Sequence, residues 1–185
     1  MLARAFVEDP LLRFVFPELS TRVALAPAFF SPAVRLTNAI GEVDRLDGLV
    51  GVALWRPPGQ LHESEKERSQ AGFDELPNVI GESALARFSL AYDTLARRHS
   101  ETIAAEHWFL ELIAVEPGKQ GAGRGGQLLR SGLERADDAR MSCYLETLNS
   151  RNVPFYEDHG FRVVVDEDEP VSGLRFWGLL RPPMT

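Results

Sequence analysis

The sequence predicts an α/β domain on a sheet of mixed direction flanked by helices. Three observations carry that reading. Two strand-like runs, 39–46 and 49–55, flank Asp47-Gly48, a two-residue hairpin signal. After His107, strand-like and helix-like runs alternate in the order β-α-β-α-β-β. The glycine-rich stretch 121–126 joins one of those strands to the helix after it.

Residues 2–7 read as the end of a helix, stopped before Asp9-Pro10 because the residue before a proline avoids the helical region. Residues 11–16 are apolar and aromatic, a short helix or turn. A helical segment over 20–38 is expected to be interrupted by Pro27 and Pro32. The second hairpin strand, LVGVALW, is continuously apolar and so reads as an inner strand. Residues 57–74 are polar and form a surface loop or short exposed helix. Leu85, Phe88, Tyr92 and Leu95 recur at helical steps within 80–99. His107–Val115 is a strand ended by Pro117-Gly118, and 125–139 is a helix with Leu129, Leu133 and Ala136 on one face. A strand at 142–147 and a short helix at 152–159 follow, the helix stopped by Gly160. Strands at 161–165 and 174–181 enclose an acidic turn, Asp166–Gly173.

The chain of 185 residues fits one domain, 1–185, and 44% hydrophobic residues suffice for a core. A net charge of −7 argues against a nucleic-acid partner. Cys143 is the only cysteine, so no internal disulfide forms and a reducing, cytoplasmic location is expected. No apolar run approaches the roughly 18 residues that suggest a membrane span, and MLARAFVEDP does not read as a signal peptide.

A glycine loop before a helix lets backbone N–H groups converge on an anion, where the helix dipole adds to the attraction. Gly121-x-Gly123-x-x-Gly126 matches a dinucleotide fingerprint, and Glu146 lies 20 residues after Gly126. Three features oppose that ligand. Residues 116–120 intervene between strand and loop, about 110 residues precede the unit, and fewer than 60 follow its helix. No Gly-Lys-Ser/Thr is present, which excludes a Walker loop.

The same stretch also reads as Val115-x-Pro117, then Gln120-x-x-Gly123-x-Gly125, with Asn149-x-x-Asn152-x-x-Phe155-Tyr156-x-x-x-Gly160-Phe161 after the next strand. In these two motifs the chain resembles the GCN5-related N-acetyltransferases (GNAT family), firmly over 107–181 and more loosely over 2–99. The segment LETLNSRNVPFYEDHGF is most similar to the branch that includes puromycin N-acetyltransferase. The resemblance implies a mixed, mostly antiparallel sheet and acetyl-CoA as co-substrate. It also implies a first strand that has no counterpart at the start of this sequence, which leaves the strand at 39–46 as a sheet edge.

What the resemblance implies for the site is specific. Backbone N–H groups of Gly121, Ala122, Gly123, Gly125 and Gly126, with the side chains of Gln120, Arg124 and Lys119, would hold the diphosphate. The strands 108–115 and 142–147 would splay, so that the Ile113 N–H polarises the acetyl oxygen and Val115 pairs with the pantetheine arm. Tyr156 would protonate the departing thiolate. Asn149 would contact the arm, and Asn152 would do the same or cap its helix. Glu146 is the first candidate for the base that deprotonates the amine and Glu111 the second, with a water chain as the alternative. A lone His107 reads as structural, no cluster has metal-ligand spacing, and Cys143 lies on a core strand without an activating neighbour. The acidic run Asp166–Glu169 reads as a solvated loop.

The expected activity is direct acetyl transfer to a primary amine of a small molecule. A protein acetyltransferase and a non-catalytic acyl-CoA-binding module are the alternatives. A homodimer is left open, and the acceptor carries no motif.

Overall fold

The computed structural model describes residues 1–184. The chain opens with α1 (Leu2–Ala5), α2 (Pro10–Val15) and the long α3 (Leu19–Ile40). β1 (Glu42–Arg45) and β2 (Gly51–Arg56) follow, then α4 (Glu65–Ala71), α5 (Leu76–Ile80) and α6 (Glu82–Thr102). The second half runs β3 (Trp108–Val115), α7 (Arg124–Asp138), β4 (Cys143–Thr147), α8 (Val153–Glu157), β5 (Arg162–Asp168) and β6 (Arg175–Arg181). The strands form one sheet in the order β1-β2-β3-β4-β6-β5. Only β3 and β4 are parallel, and every other neighbouring pair is antiparallel. β1 is an edge and β2 an inner strand, both as expected.

Two apolar layers cover the sheet. Trp55, Leu110, Val115, Leu129, Leu145 and Phe161 form one core on the α7 and α8 face. Leu12, Val15, Phe16, Phe29, Phe30, Ile80 and Ala114 form the other beneath α1, α2, α3 and α6. Helix α7 lies on its sheet face because Gly132 has no side chain. A Cβ there would sit 2.2 Å from the Trp55 ring.

Four local expectations are corrected. Helix α3 runs unbroken through Pro27 and Pro32. Ala26, Phe29, Phe30 and Leu36 are buried along it, and that packing outweighs the backbone bonds the prolines remove. By length and hydropathy α3 also resembles a membrane span, but its apolar face is committed to the core. The β1–β2 connection is longer than two residues: Leu46 N–H donates to Gly51 C=O at 3.1 Å, and Gly48 and Leu49 both take positive φ. The short helix after β4 is only Val153–Glu157, with Gly160 at φ 86° beyond it. The acidic run is mostly strand, as β5 continues to Asp168. Asp166 pairs with Arg175, and Glu167 with Arg98. Glu169 is buried and accepts from Val171 N–H and Ser172 N–H, so it builds the turn and is not a solvated charge.

Gly132→Ala is expected to destabilise the protein. Overpacking costs ~1–3 kcal/mol, against a gain of up to ~1 kcal/mol in helix propensity. Urea melts should show a lower midpoint, and adding Trp55→Phe should recover part of it. A Gly132→Ala midpoint at or above wild type would contradict this packing.

Candidate functional site

The site begins with a break in the sheet. β3 and β4 pair at Trp108–Cys143, Phe109–Tyr144 and Leu110–Leu145, and no further. At that point β3 carries one extra residue. Leu112 lies opposite Leu54 and Leu110 opposite Trp55, so Glu111 is bulged out of the ladder. The bulge resets the side-chain alternation. Leu110 and Ile113 both belong to the α7 core, while Glu111 and Leu112 face α3.

The ladder then fixes which backbone groups face the break. Glu116 N–H donates to Val50 C=O at 2.8 Å. Antiparallel alternation aims the Ala114 and Leu112 N–H groups at β2 in turn, and those of Ile113 and Val115 away from it. Both therefore point into the gap beside β4, where no strand meets them. Gln120 reaches the same place from the loop: its side-chain amide donates to Val115 C=O at 3.1 Å. It holds the strand end, a role its motif position did not disclose.

The loop glycines divide into two kinds. Gly121 (φ 77°) and Gly123 (φ 71°) take left-handed conformations with open space around them. Gly123 is the N-cap of α7 and supplies no side-chain cap, so the first N–H groups of a 15-residue helix stay free for a ligand. Gly125 and Gly126 admit helix α8 instead. A Cβ on Gly125 would lie 3.2 Å from the Phe155 ring, and one on Gly126 2.8 Å from His159. Arg124 donates to Lys119 C=O at 2.9 Å and closes the loop. Lys119, Arg124 and Gln127 line one side of a cavity of about 360 Å³ whose other side is Leu46, Asp47 and Val50.

Tyr156 belongs to the core of the α7 face that also holds Ile113 and Val115, and it packs with Phe155 and Phe161. Burial, with the Asp9 carboxylate nearby, pushes its phenol above the usual range. Capping falls to Asn149, whose side chain accepts from Arg151 N–H, and not to Asn152, which reaches back to Thr147 Oγ1 at 3.4 Å.

The carboxylates lie on the opposite face. Glu146 accepts from Tyr144 Oη at 3.2 Å, and burial raises its pKa to about 8. It stands opposite Gly178, where a Cβ would meet the Tyr144 hydroxyl at 2.4 Å. Glu111 is a poor base. Thr37 Oγ1 is 2.9 Å from both Ala33 C=O and Glu111 Oε2. Thr37 donates to the Glu111 carboxyl, and burial pulls that carboxyl's pKa upward against the opposing effects of Arg56 and the Thr37 bond.

Helix α6 roofs this face. His99 packs on Phe109 and Tyr144 with ring centroids 4.6 Å away in each case. Its Nε2 lies 2.7 Å from His107 Nε2, and His107 Nδ1 donates to Ala105 C=O. Since that carbonyl only accepts, His99 donates to His107 and both rings are neutral. Burial, then the neighbouring His107, holds His99 down at about 4. Arg98 and Thr94 tie the helix to Glu167 and Glu169. Cys143 is buried and its thiol is pushed up to about 12, so no thiolate is available at neutral pH. Among the described residues, no group of three His, Cys, Asp or Glu is placed to hold a metal ion.

One group was not singled out from the sequence. Asp9 caps α2, accepting from Leu11 N–H at 3.0 Å, and burial raises its pKa to about 6. Its Asp-Pro context read only as a helix boundary.

Residues 79–163 match the family model described as Acetyltransferase (GNAT) domain. The fold is similar to that of a histone acetyltransferase HPA2 and related acetyltransferase from Corynebacterium glutamicum. That likeness has 25% identity and a TM-score of 0.65, over 100% of this chain and 88% of that one. An arylalkylamine N-acetyltransferase 2 from Aedes aegypti shares the fold at 14% identity and a TM-score of 0.58, over 98% and 90% of the two chains. Residues 79–163 thus resemble an acetyltransferase (GNAT) domain, and acetyl-CoA is the co-substrate of that class.

Glu146 generates a signed pH prediction. Its folded pKa of about 8 lies above the unfolded carboxylate value, so the folded state binds the extra proton. The stability it contributes is complete below pH ~4 and is lost as pH rises through 8. Glu146→Gln should therefore raise stability at pH 8 by on the order of 4 kcal/mol and change little at pH 4. A pH-independent difference would show that Glu146 does not titrate abnormally.

Proposed function

We propose that the chain transfers the acetyl group of acetyl-CoA directly to a primary amine of a small molecule, a reading that starts from the match of residues 79–163 to an acetyltransferase (GNAT) domain. The observation that carries the reading is the gap between β3 and β4, with the Ile113 and Val115 N–H groups aimed into it and Tyr156 in the core that those two residues share. The residues fit the co-substrate. The uncapped α7 N-terminus and the open, left-handed Gly121 and Gly123 suit a diphosphate, and Lys119 and Arg124 add positive charge beside it. Val115 offers a strand-like edge to the pantetheine arm.

The Ile113 N–H acts as a fixed donor to the acetyl oxygen as negative charge develops there, an effect worth about 3 kcal/mol. The amine nitrogen attacks the carbonyl carbon, the carbon–sulfur bond breaks, and Tyr156 Oη gives its proton to the departing thiolate. Glu146 lines the acceptor face and, when ionised, orients the incoming ammonium.

The small acceptor is supported by the roof over that face. Helix α6 lies across Phe109 and Tyr144 and is tied to the β5–β6 hairpin, which confines the space an extended peptide would need. Residues 57–75 lie beside that face: α4 packs on α3, Glu63 is held by Arg56 and Arg68, and Gly59 N–H donates to Glu106. The likeness of LETLNSRNVPFYEDHGF to the puromycin N-acetyltransferase branch also favours a small amine. A protein substrate remains the second reading, because the C. glutamicum relative bears a histone acetyltransferase name.

Millimolar CoA should raise the melting temperature of the wild-type protein. In Gly123→Glu that ligand-induced rise should vanish whatever the starting stability, since a carboxylate then faces the diphosphate. An unchanged wild-type melting temperature would count against the whole reading. Thiol release should next be followed over a panel of arylalkylamines, polyamines, aminonucleosides and short peptides, with a small amine expected to be fastest and a peptide favouring the second reading.

Tyr156→Phe should lower kcat by ~10²–10⁴-fold while the CoA dissociation constant changes little. Equal turnover in that variant would remove Tyr156 as the acid.

A further inference from the structure

We infer that Tyr144 is a positioning residue that holds Glu146 in place for the acceptor ammonium, a role that rests on the acetyl-transfer reading. Register places the pair. Leu110 and Leu145 are the last paired residues of β3 and β4, so Glu146 is the first residue of β4 beyond the pairing, at the mouth of the gap. Alternation along β4 sends Cys143 and Leu145 into the α7 core and Tyr144 and Glu146 to the opposite face. There the Tyr144 hydroxyl donates to Glu146 Oε1 at 3.2 Å. Among the described residues no arginine or lysine pairs with Glu146, whereas Glu63 is held by Arg56 and Arg68, and Glu167 by Arg98. An incoming ammonium is the cation this carboxyl lacks.

Tyr144 itself has one place to stand. Its side chain is fully buried. Gly178 of β6 lies directly opposite Glu146, and a Cβ there would sit 2.4 Å from the Tyr144 hydroxyl, so the glycine leaves the space that the hydroxyl fills. His99 of α6 lies against the ring with centroids 4.6 Å apart, and Phe109 stacks beside it at 6.3 Å. His99 is fixed in turn by His107, Nε2 to Nε2 at 2.7 Å. A phenol confined on these sides cannot follow the carboxyl group; the carboxyl group stays with the phenol. The rotamer freedom that a glutamate gives up is then lost in folding and not on binding the amine.

The bond also acts on charge. Burial favours the neutral acid at Glu146, and a donated phenol hydrogen favours the carboxylate. Oε1 carries that bond, which leaves Oε2 for the ammonium. The ionisable groups around the pair are His99 from α6, its partner His107, and Glu111, next along β3 after Leu110 and engaged by Thr37. Both rings are neutral, and Arg98 of α6 is committed to Glu101 and Glu167. Tyr144 is thus the group that helps Glu146 ionise before the substrate arrives.

Tyr144→Phe keeps the ring and removes the bond. With acetyl-CoA and the fastest amine of the panel, wild-type kcat/KM should rise with pH through a limb near 8, and Glu146→Gln should lack that limb. In Tyr144→Phe the limb should move up by about one pH unit. At pH 7 kcat/KM for the amine should fall about tenfold, the low end for a lost hydrogen bond to a charged group. KM for acetyl-CoA and the melting-temperature rise with CoA should match wild type. In a Glu146→Gln background, Tyr144→Phe should change kcat/KM by less than about twofold, because no charge is left to position. Single-variant activity within about twofold of wild type, with the limb in place, would overturn the role. An equal fall in both backgrounds, or a limb that stays near 8 while activity drops, would make Tyr144 structural only. A wild-type protein that binds CoA but acetylates no amine would overturn the transfer reading itself, and this role with it.

Discussion

The rest of the site depends on one constraint: β3 and β4 stop pairing after Leu110 and Leu145. Buried backbone N–H groups almost always find partners, because an unmet donor costs about as much as a lost hydrogen bond. A sheet that parts in its interior therefore either carries that cost or reserves the position for a ligand. Here the bulge at Glu111 determines which donors are left. Without it, the alternation set by Leu110 would turn Leu112 toward α7 and Ile113 toward α3. With it, Ile113 and Val115 keep their side chains in the α7 core while their N–H groups enter the gap.

The surrounding packing holds the gap at a fixed width. On one face α7 is drawn close to β2 by the contact of Gly132 with Trp55, and α8 is drawn close to α7 by the contacts of Gly125 and Gly126 with Phe155 and His159. Two of the glycines that look like a ligand cradle in the sequence are thus helix-packing glycines as well, while their backbone N–H groups remain among those at the α7 N-terminus. On the other face α6 spans β3, β4 and the β5–β6 hairpin, held by a neutral histidine pair and by Arg98 with Glu167. Neutral rings suit that place, since a charge there would have to be desolvated without a counter-ion.

Much of this was legible in the sequence, and the parts that were not share a cause. The strand order after His107, the glycine loop, the helix at 124–138 and the Asn149–Phe161 motif are local patterns, and a linear reading finds local patterns. The bulge at Glu111 is invisible because it exists only relative to a partner strand. Continuous α3 is invisible because Pro27 and Pro32 break helices by local rules. Val23, whose carbonyl loses its partner to Pro27, is exposed and Ala28, which loses its partner to Pro32, is half-buried, while the aromatic face of the helix is buried. The run Asp166–Glu169 resembled a solvated loop because its four acids were counted without Arg98 and Arg175, which lie far along the chain or across a hairpin. Asp9 was read as punctuation because an aspartate before proline is usually that; only the fold shows it capping α2 with a part-buried carboxylate.

The two faces of the gap also differ in how burial acts on their acids, and that difference gives the site a direction. A phenol raised by burial stays protonated at any working pH, which keeps Tyr156 loaded as a donor. The same burial would make it a reluctant donor to a thiolate in water. A thiolate formed beside it is desolvated too, and its own proton affinity rises for the same reason. What governs transfer is the difference between two groups in one environment, and burial leaves that difference closer to the ordinary gap between a phenol near 10 and a thiol near 8.5. On the carboxylate face burial has the opposite use. It lifts Asp9, with the Leu11 and Leu12 N–H groups pulling against it, only to about 6, whereas Glu146, with only a phenol to stabilise its charge, is lifted to about 8. In the proposed transfer a charged sulfur leaving beside Tyr156 therefore meets a loaded donor, while Glu146 on the other face is largely protonated at neutral pH.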